Sequence, residues 1–443
     1  MKLAVLKDPT VLGVALRARQ ASHRLATLSH ECRREALLAA ANSIIKRRAE
    51  ILAANEQDIG AALRSVDEGR MSRAILRRLQ TSPGGVAEMA ARVRAVAGLP
   101  DPLGQTLATT ELDDGLILHK VSCPLGVVGV VFESRPDVIP QVAALALKSG
   151  NVLILKGGTE AAHTNEVLVS IWRDALASFY EIPIEAITLL HSREEVAELL
   201  ALDGQIDLIV PRGSREFVRY IAKHSRVPVL GHGEGICHVY VDAKADSAKA
   251  IDIIVDSKTQ YPAACNAAET LLIHQAVADD FLPEIITELT KQDVEVRGCT
   301  RTVASIPQAS IVRANDQDWA TEYSDLIISI KVVSNLDEAI AHVNTYGSGH
   351  TEAIVTEDRE AAARFMNEVD AASVFHNAST RFADGFRYGF GAELGISNGK
   401  LHARGPVGLD GLTTYKFKLF GSGHQVAQYA NGERRFKHDA SMG

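Results

Sequence analysis

The chain has 443 residues, 46% apolar and 23% charged, the profile of a globular protein too long for one core and expected to divide into two or three domains. Its formal net charge of −8 excludes a general binder of nucleic acid or of anionic membranes, so an anionic ligand needs a local cluster of basic groups. Five cysteines, at 32, 123, 237, 265 and 299, show no paired spacing; that argues against a disulfide framework or a zinc site and for a reducing compartment.

At the start, MKLAVLKDPTVLG lacks the unbroken apolar core of a signal peptide, because Asp8-Pro9 interrupts it. Apolar runs elsewhere fall far short of the ~20 residues that span a bilayer. A cytoplasmic protein is expected. Residues 10–100 carry apolar positions such as Ala36, Leu37, Ala40, Ile44 and Ile45 at helical spacing, which predicts a helical layer. Leu99-Pro100-Asp101-Pro102 ends it. Residues 108–122 read as a hairpin turning at Asp113-Asp114-Gly115. A lone hairpin is marginal in water, so this one is expected to lean on another chain or domain.

From Pro124 strands and helices alternate. Strands are predicted at 126–132, 151–155, 186–190, 206–210 and 227–230, with helices at 138–148, 161–178, 194–202 and 215–224. A second alternation predicts strands at 238–241, 270–274, 326–333, 352–355 and 373–376. Its helices fall at 247–257, 276–291, 336–343 and 359–369. Buried, non-alternating strands in repeated βα units imply parallel sheets covered on both faces. Residues 377–410, rich in Gly and Arg, read as a long functional loop. Residues 412–420 form a strongly alternating strand, and the tail after Gly432 is expected to be loose.

Three places carry chemistry. Lys156-Gly157-Gly158-Thr159 follows a predicted strand, and Gly213-Ser214 opens a helix as a usable phosphate cradle. Neither is a GxGxxG or a Walker loop; read alone, each is an ordinary βα turn. The third is Cys265, set among small residues in Tyr261-Pro262-Ala263-Ala264-Cys265-Asn266-Ala267-Ala268. Those neighbours leave room for a substrate to reach the sulfur, and Asn266 sets an amide donor beside it. A free thiol is only about 3% thiolate at neutral pH, so a nucleophile needs help from its surroundings. On spacing alone a buried structural cysteine competes with that reading. Asn266 and Glu269 could cap a helix, but the β-prone run after Glu269 favours a strand.

Taken together the chain resembles the aldehyde dehydrogenase superfamily, and within it the branch that reduces L-glutamyl 5-phosphate. The resemblance rests on Val131-Phe132-Glu133-Ser134-Arg135-Pro136, Lys148-Ser149-Gly150-Asn151, residues 154–159, residues 231–238 and the Cys265 loop. It continues through residues 342–358, 391–397 and 402–416, covering most of 30–425 in the family's order. The fold it implies is α/β: two Rossmann-like parallel-sheet domains plus a β-hairpin oligomerisation flap. The cofactor-binding domain would be 1–107 and 125–235, and the catalytic domain 236–405. The flap would be 108–124 and 406–430, and 431–443 a loose tail.

The resemblance also implies roles. Cys265 would attack the acyl phosphate in a proline-biosynthetic reduction, with Asn266 helping to hold the oxyanion. Lys156 would contact the adenosine ribose, and Gly213 and Ser214 the pyrophosphate side. Glu322 would hold the nicotinamide ribose. Thr159 stands where NAD-preferring relatives often carry a glutamate, which favours NADPH. Arg135, Ser379 and Arg381 are the expected substrate holders, with His350 and Arg404 as further candidates. No metal is expected. Partners implied are the small-molecule substrate, further copies of the chain in a dimer or tetramer, and a separate glutamate kinase, since the resemblance already fills the chain. One departure matters: aldehyde-oxidising relatives carry a water-activating glutamate in a Glu-Leu-Gly-Gly pattern, whereas this chain has Gly231-His232-Gly233-Glu234. A phosphorylating enzyme must keep activated water from its thioester, so losing that base suits it. A hydrolytic dehydrogenase using Glu234, or a non-catalytic cofactor-binding member, are the competing readings.

Overall fold

The computed structural model describes residues 10–231, 234–306 and 311–442. The chain forms two compact units. The first comprises Met1–Leu230, Phe390–Leu394 and Val407–Gly443, the second Gly231–Gly389 and Gly395–Pro406. The second unit therefore starts at Gly231 rather than 236, and the hairpin segment clusters with the first unit instead of forming a third body.

The first unit begins with a helical layer: α1 (Val11–Leu25), α2 (His30–Lys46), α3 (Arg48–Asp67), α4 (Arg73–Leu79) and α5 (Pro83–Gly98). Its starts are written in the sequence. Thr10, Ser29 and Ser82 each cap a helix by accepting a backbone N–H three residues on, and Pro83 sits in the first turn of α5. After the hairpin β1 (Thr106–Asp113) and β2 (Leu116–Pro124) come β3 (Val127–Phe132), α6 (Val138–Lys148), β4 (Val152–Lys156) and α7 (Ala162–Leu176). Then follow β5 (Ile187–Leu190), α8 (Arg193–Leu200), β6 (Leu208–Arg212) and α9 (Arg215–His224). The parallel sheet has order β5-β4-β3-β6. Every residue of β3 and β4 is buried, as expected of a sheet covered on both faces. The strand predicted at 227–230 shrinks to one bridge between Ile209 and Val229; Pro228 offers only its carbonyl there, which accepts from the Ile209 N–H.

The second unit runs β7 (Cys237–Val241), α10 (Ser247–Thr259), β8 (Ala268–His274), α11 (Gln275–Lys291), β9 (Glu295–Gly298), α12 (Thr300–Ser305) and β10 (Val312–Arg313). It continues with β11 (Ile327–Val333), α13 (Leu336–Tyr346), β12 (Thr351–Val355), α14 (Arg359–Glu368) and β13 (Ser373–His376). All seven strands are parallel, in the order β10-β9-β11-β8-β7-β12-β13. The core is aliphatic, with Val239, Leu271, Ile273, Ile330 and Ala353 fully enclosed. Beyond β13 the chain makes only short pieces, among them β14 (Ile396–Ser397) paired with β15 (Gly405–Pro406).

The chain then returns to the first unit as β16 (Thr413–Phe420), α15 (Val426–Ala430) and β17 (Asp439–Met442). An antiparallel sheet of order β16-β2-β1-β17 results, turning between β1 and β2 at Asp114-Gly115 with Gly115 at φ 71°. The expectation of a loose tail is corrected here. Residues 439–442 pair with 108–111, Lys437 N–H donates to the Leu112 carbonyl, and Tyr429 stacks on Phe436 at 4.3 Å. The free edge of β1 carries backbone groups that the tail satisfies, a demand that no side-chain pattern in the tail announces. Among the described residues no helix is long and apolar enough to cross a membrane.

Candidate active site

In the second unit, Cys265 lies between α10 and β8, at the amino edge of the sheet, half-buried and unpaired with any other cysteine. Two tight turns shape its loop: the Ala264 N–H donates to the Tyr261 carbonyl and the Ala267 N–H to the Ala264 carbonyl. The lead-in to β7 passes hard against it. A Cβ on Gly235 would fall 2.0 Å from the Cys265 carbonyl oxygen, so only glycine fits there. Cys237 donates to the same oxygen at 3.3 Å, and full burial pushes its thiol well up. Glu234 directly precedes Gly235; His232 and Gly233 of the same stretch lie outside the described residues.

A buried ion pair that the sequence did not reveal joins the two ends of the loop. Lys258, in the last turn of α10, donates to Glu269 in β8 at 2.7 Å, both side chains being fully enclosed. Burial raises the Glu269 carboxyl to about 7 and lowers the Lys258 ammonium. The other Glu269 oxygen accepts the Ser324 N–H at 3.1 Å, where Ser324 sits at φ 52° and its hydroxyl donates to Glu322 at 3.4 Å. Glu322 is thus tied through Ser324 and Glu269 to the base of the cysteine loop. The capping reading of Asn266 and Glu269 fails, since Glu269 is strand and Lys258 holds its carboxylate.

The segment after β13 supplies the rest. Arg381 is 7% exposed, donates to Gln260 at 2.9 Å and lies over the Tyr261 ring. Burial lowers its guanidinium, and Cys265 is among the groups it interacts with electrostatically. Ser379 is buried, accepting from Ser257 and from the Arg381 N–H. Its hydroxyl oxygen therefore anchors the Arg381 turn. Asn266 is buried too, and its amide donates to the Ala383 carbonyl at 2.8 Å; the expected oxyanion donor is engaged in holding this segment. His350 is fully buried against Thr351 and Cys237, and Arg404 pairs with Asp370 at 3.0 Å.

The first unit holds the other expected residues at the carboxyl ends of its strands. Lys156 ends β4, and burial lowers its ammonium. Thr159 is exposed on the turn that follows, and Arg135 is half-buried after β3. Gly213 and Ser214 link β6 to α9, with the Ser214 N–H donating to Glu133 at 2.8 Å. Glu160 closes the neighbouring turn, accepting from both the N–H and the hydroxyl of Ser134. A Cβ on Gly213 would strike the Glu133 carboxylate. The cradle fits a dinucleotide: a lysine stem, a neutral exposed hydroxyl and a side-chain-free turn at a helix start. Glu133, quoted above only as part of the resemblance, accepts from the amide that a phosphate would use. Among the described residues no group of three or more His, Cys, Asp or Glu could hold a metal ion.

Two units built on parallel sheets, one of them with a glycine turn at a helix start that fits a dinucleotide phosphate, define the class of nicotinamide-dependent dehydrogenases. The aldehyde dehydrogenase family profile matches residues 7–306 and 309–393, and the chain belongs to that family. The branch is that of the gamma-glutamyl phosphate reductases. The chain is 54% identical to the gamma-glutamyl phosphate reductase of Natronomonas pharaonis over 95% of this chain and 96% of that one. It is 52% identical to that of Pelotomaculum thermopropionicum over 96% of each. The crystal structure of the Thermotoga maritima gamma-glutamyl phosphate reductase superposes with a TM-score of 0.90 at 42% identity, covering 94% of this chain and 99% of that one.

Proposed function

We propose that the protein reduces L-glutamyl 5-phosphate to L-glutamate 5-semialdehyde with NADPH, releasing phosphate, as a step of proline biosynthesis. The observation that carries this is Cys265, half-buried in the loop whose Gln260 and Tyr261 are contacted by the enclosed Arg381, in a chain 54% identical to a gamma-glutamyl phosphate reductase. The Cys265 sulfur attacks the acyl carbon; a C–S bond forms, the C–O bond to phosphate breaks, and phosphate leaves with the electron pair. Arg381 offsets negative charge that develops on the departing phosphate. A nicotinamide held there would supply hydride to the thioester carbon, leaving a thiohemiacetal oxyanion on Cys265. Collapse of that adduct breaks the C–S bond, frees the aldehyde and returns the electron pair to Cys265. Lys156, Thr159, Gly213 and Ser214 hold the adenosine and phosphate end of the cofactor, Glu322 the nicotinamide ribose, and Arg135 with Arg381 the substrate.

The test runs the reaction in reverse: NADP-dependent oxidation of glutamate 5-semialdehyde with and without inorganic phosphate. Turnover that requires phosphate and vanishes in Cys265→Ser is expected. Turnover indifferent to phosphate would assign thioester resolution to water, with Glu234 as the base, and overturn the phosphorylating reading.

A further inference from the structure

A cleft of about 480 Å³ opens in the second unit, lined among others by Gly347, Ser348, Glu352, Asp370, Lys400 and Arg404. It lies at the lead-ins to β12 and β13, the same amino edge of the sheet that carries Cys265. Two strand spacings, about 10 Å, separate the lead-ins of β8 and β12. Ser348 also touches the cysteine's surroundings. It accepts the Ile236 N–H at 2.9 Å, and Ile236 follows the glycine packed on the Cys265 carbonyl.

The floor of the cleft is an unusual carboxylate. Glu352 is 1% exposed. Its Oε2 accepts both the N–H and Nδ1 of His238, while Oε1 has no hydrogen-bond partner among the described residues. That oxygen lies beside Gly347, where a Cβ would come within 2.7 Å of it, and both residues line the cleft. A buried, unpaired carboxylate oxygen is costly unless something donates to it. Opposite stand two cations, Lys400 and Arg404, sharing the single carboxylate of Asp370. Asn398 pins their loop by donating to the Ser348 carbonyl at 2.7 Å. A simple anion would meet Glu352 and Asp370, and a simple cation would meet Lys400 and Arg404. A zwitterion satisfies both sides.

The geometry points to this cleft as the site for the α-amino-acid end of the substrate, its ammonium donating to Glu352 Oε1 and its α-carboxylate shared by Lys400 and Arg404. The assignment rests on the reading of Cys265 as the thiol that takes a glutamyl group. The α-carboxylate end is met by the long stems of Lys400 and Arg404. The same arrangement selects against aldehydes and acyl phosphates that lack the amino-acid end.

The experiment compares phosphate-dependent oxidation of glutamate 5-semialdehyde with that of butanal, which has neither charged group, in wild type, Lys400→Met, Arg404→Met and Glu352→Gln. The ratio of kcat/KM for the two aldehydes should fall at least about tenfold in each variant, through KM for the charged substrate. An unchanged ratio, whether activity stays level or drops equally for both aldehydes, overturns the site. If wild type shows no phosphate-dependent turnover, the functional reading fails, and titration calorimetry with L-glutamate decides the site separately. Binding weakened about tenfold or more in Arg404→Met supports it; absent or unaltered binding refutes it.

Discussion

His342 shows how a buried group sets the response to acid. It is 4% exposed between His238, Trp319 and Tyr346, and its Nδ1 lies 3.2 Å from the Lys331 ammonium. Burial, with the nearby His238 and Lys331, lowers it to about 3 from an ordinary 6.5. The folded state therefore binds fewer protons than the unfolded chain between those values, and stability is lost as pH falls below 6.5. One such group changes stability by up to about 1.4 kcal/mol per pH unit. Urea midpoints at pH 7 and pH 5 should show that loss in wild type and a smaller one in His342→Phe. In the cofactor site proposed above, a carboxylate in place of exposed Thr159 would face the 2′-phosphate of NADPH. Thr159→Glu should raise KM for NADPH about tenfold and leave KM for NADH nearly level; equal shifts would remove Thr159 from cofactor choice.

At the scale of elements, the enclosed Lys258–Glu269 pair closes the base of the cysteine loop. Removing one partner leaves a buried charge uncompensated, at a cost of about 3–5 kcal/mol, whereas replacing both with apolar groups of similar volume is often near neutral. Lys258→Met should lower the denaturation midpoint strongly, and Lys258→Met with Glu269→Met should recover most of the loss. A double variant as unstable as the single one would show that the pair itself holds the loop. The sequence announced the βα alternation because strands such as β3 and β8 are buried on both faces and read as Val, Leu and Ile runs. It did not announce β9, β10 or β17, which are two to four residues long and mix charged with apolar side chains. Nor could periodicity pair Lys258 with Glu269 across a turn, or place Glu133 on the Ser214 amide; those contacts exist only once the strands are in register. Cys265 was legible through its neighbours, and its place between a helix and the following strand already put it at an amino edge. Ligands of open parallel sheets are expected beyond the carboxyl ends, where the cradle residues of the first unit lie, yet the thiol lies at an amino edge.

For the molecule as a whole, β16 raises the question of what covers it. The alternation of residues 413–420 implies one buried face, and the strand pairs with β2 along its full length. Yet every residue after Thr413 is exposed in the single chain, with Phe417 62% and Leu419 57% accessible. Tyr415, Phe417 and Leu419 alternate onto one face, and Lys416 and Lys418 fall on the other. An apolar strip on the free edge strand of a small sheet is an aggregation hazard unless a partner covers it. Symmetry makes a second copy of the same chain the economical partner. The chain is therefore expected to be at least dimeric at micromolar concentration by light scattering. Phe417→Glu with Leu419→Glu should shift it toward monomer, since two carboxylates would then enter the covered face. Wild type that is monomeric at that concentration would refute the dimer. Variants as dimeric as wild type would move the contact elsewhere on the surface.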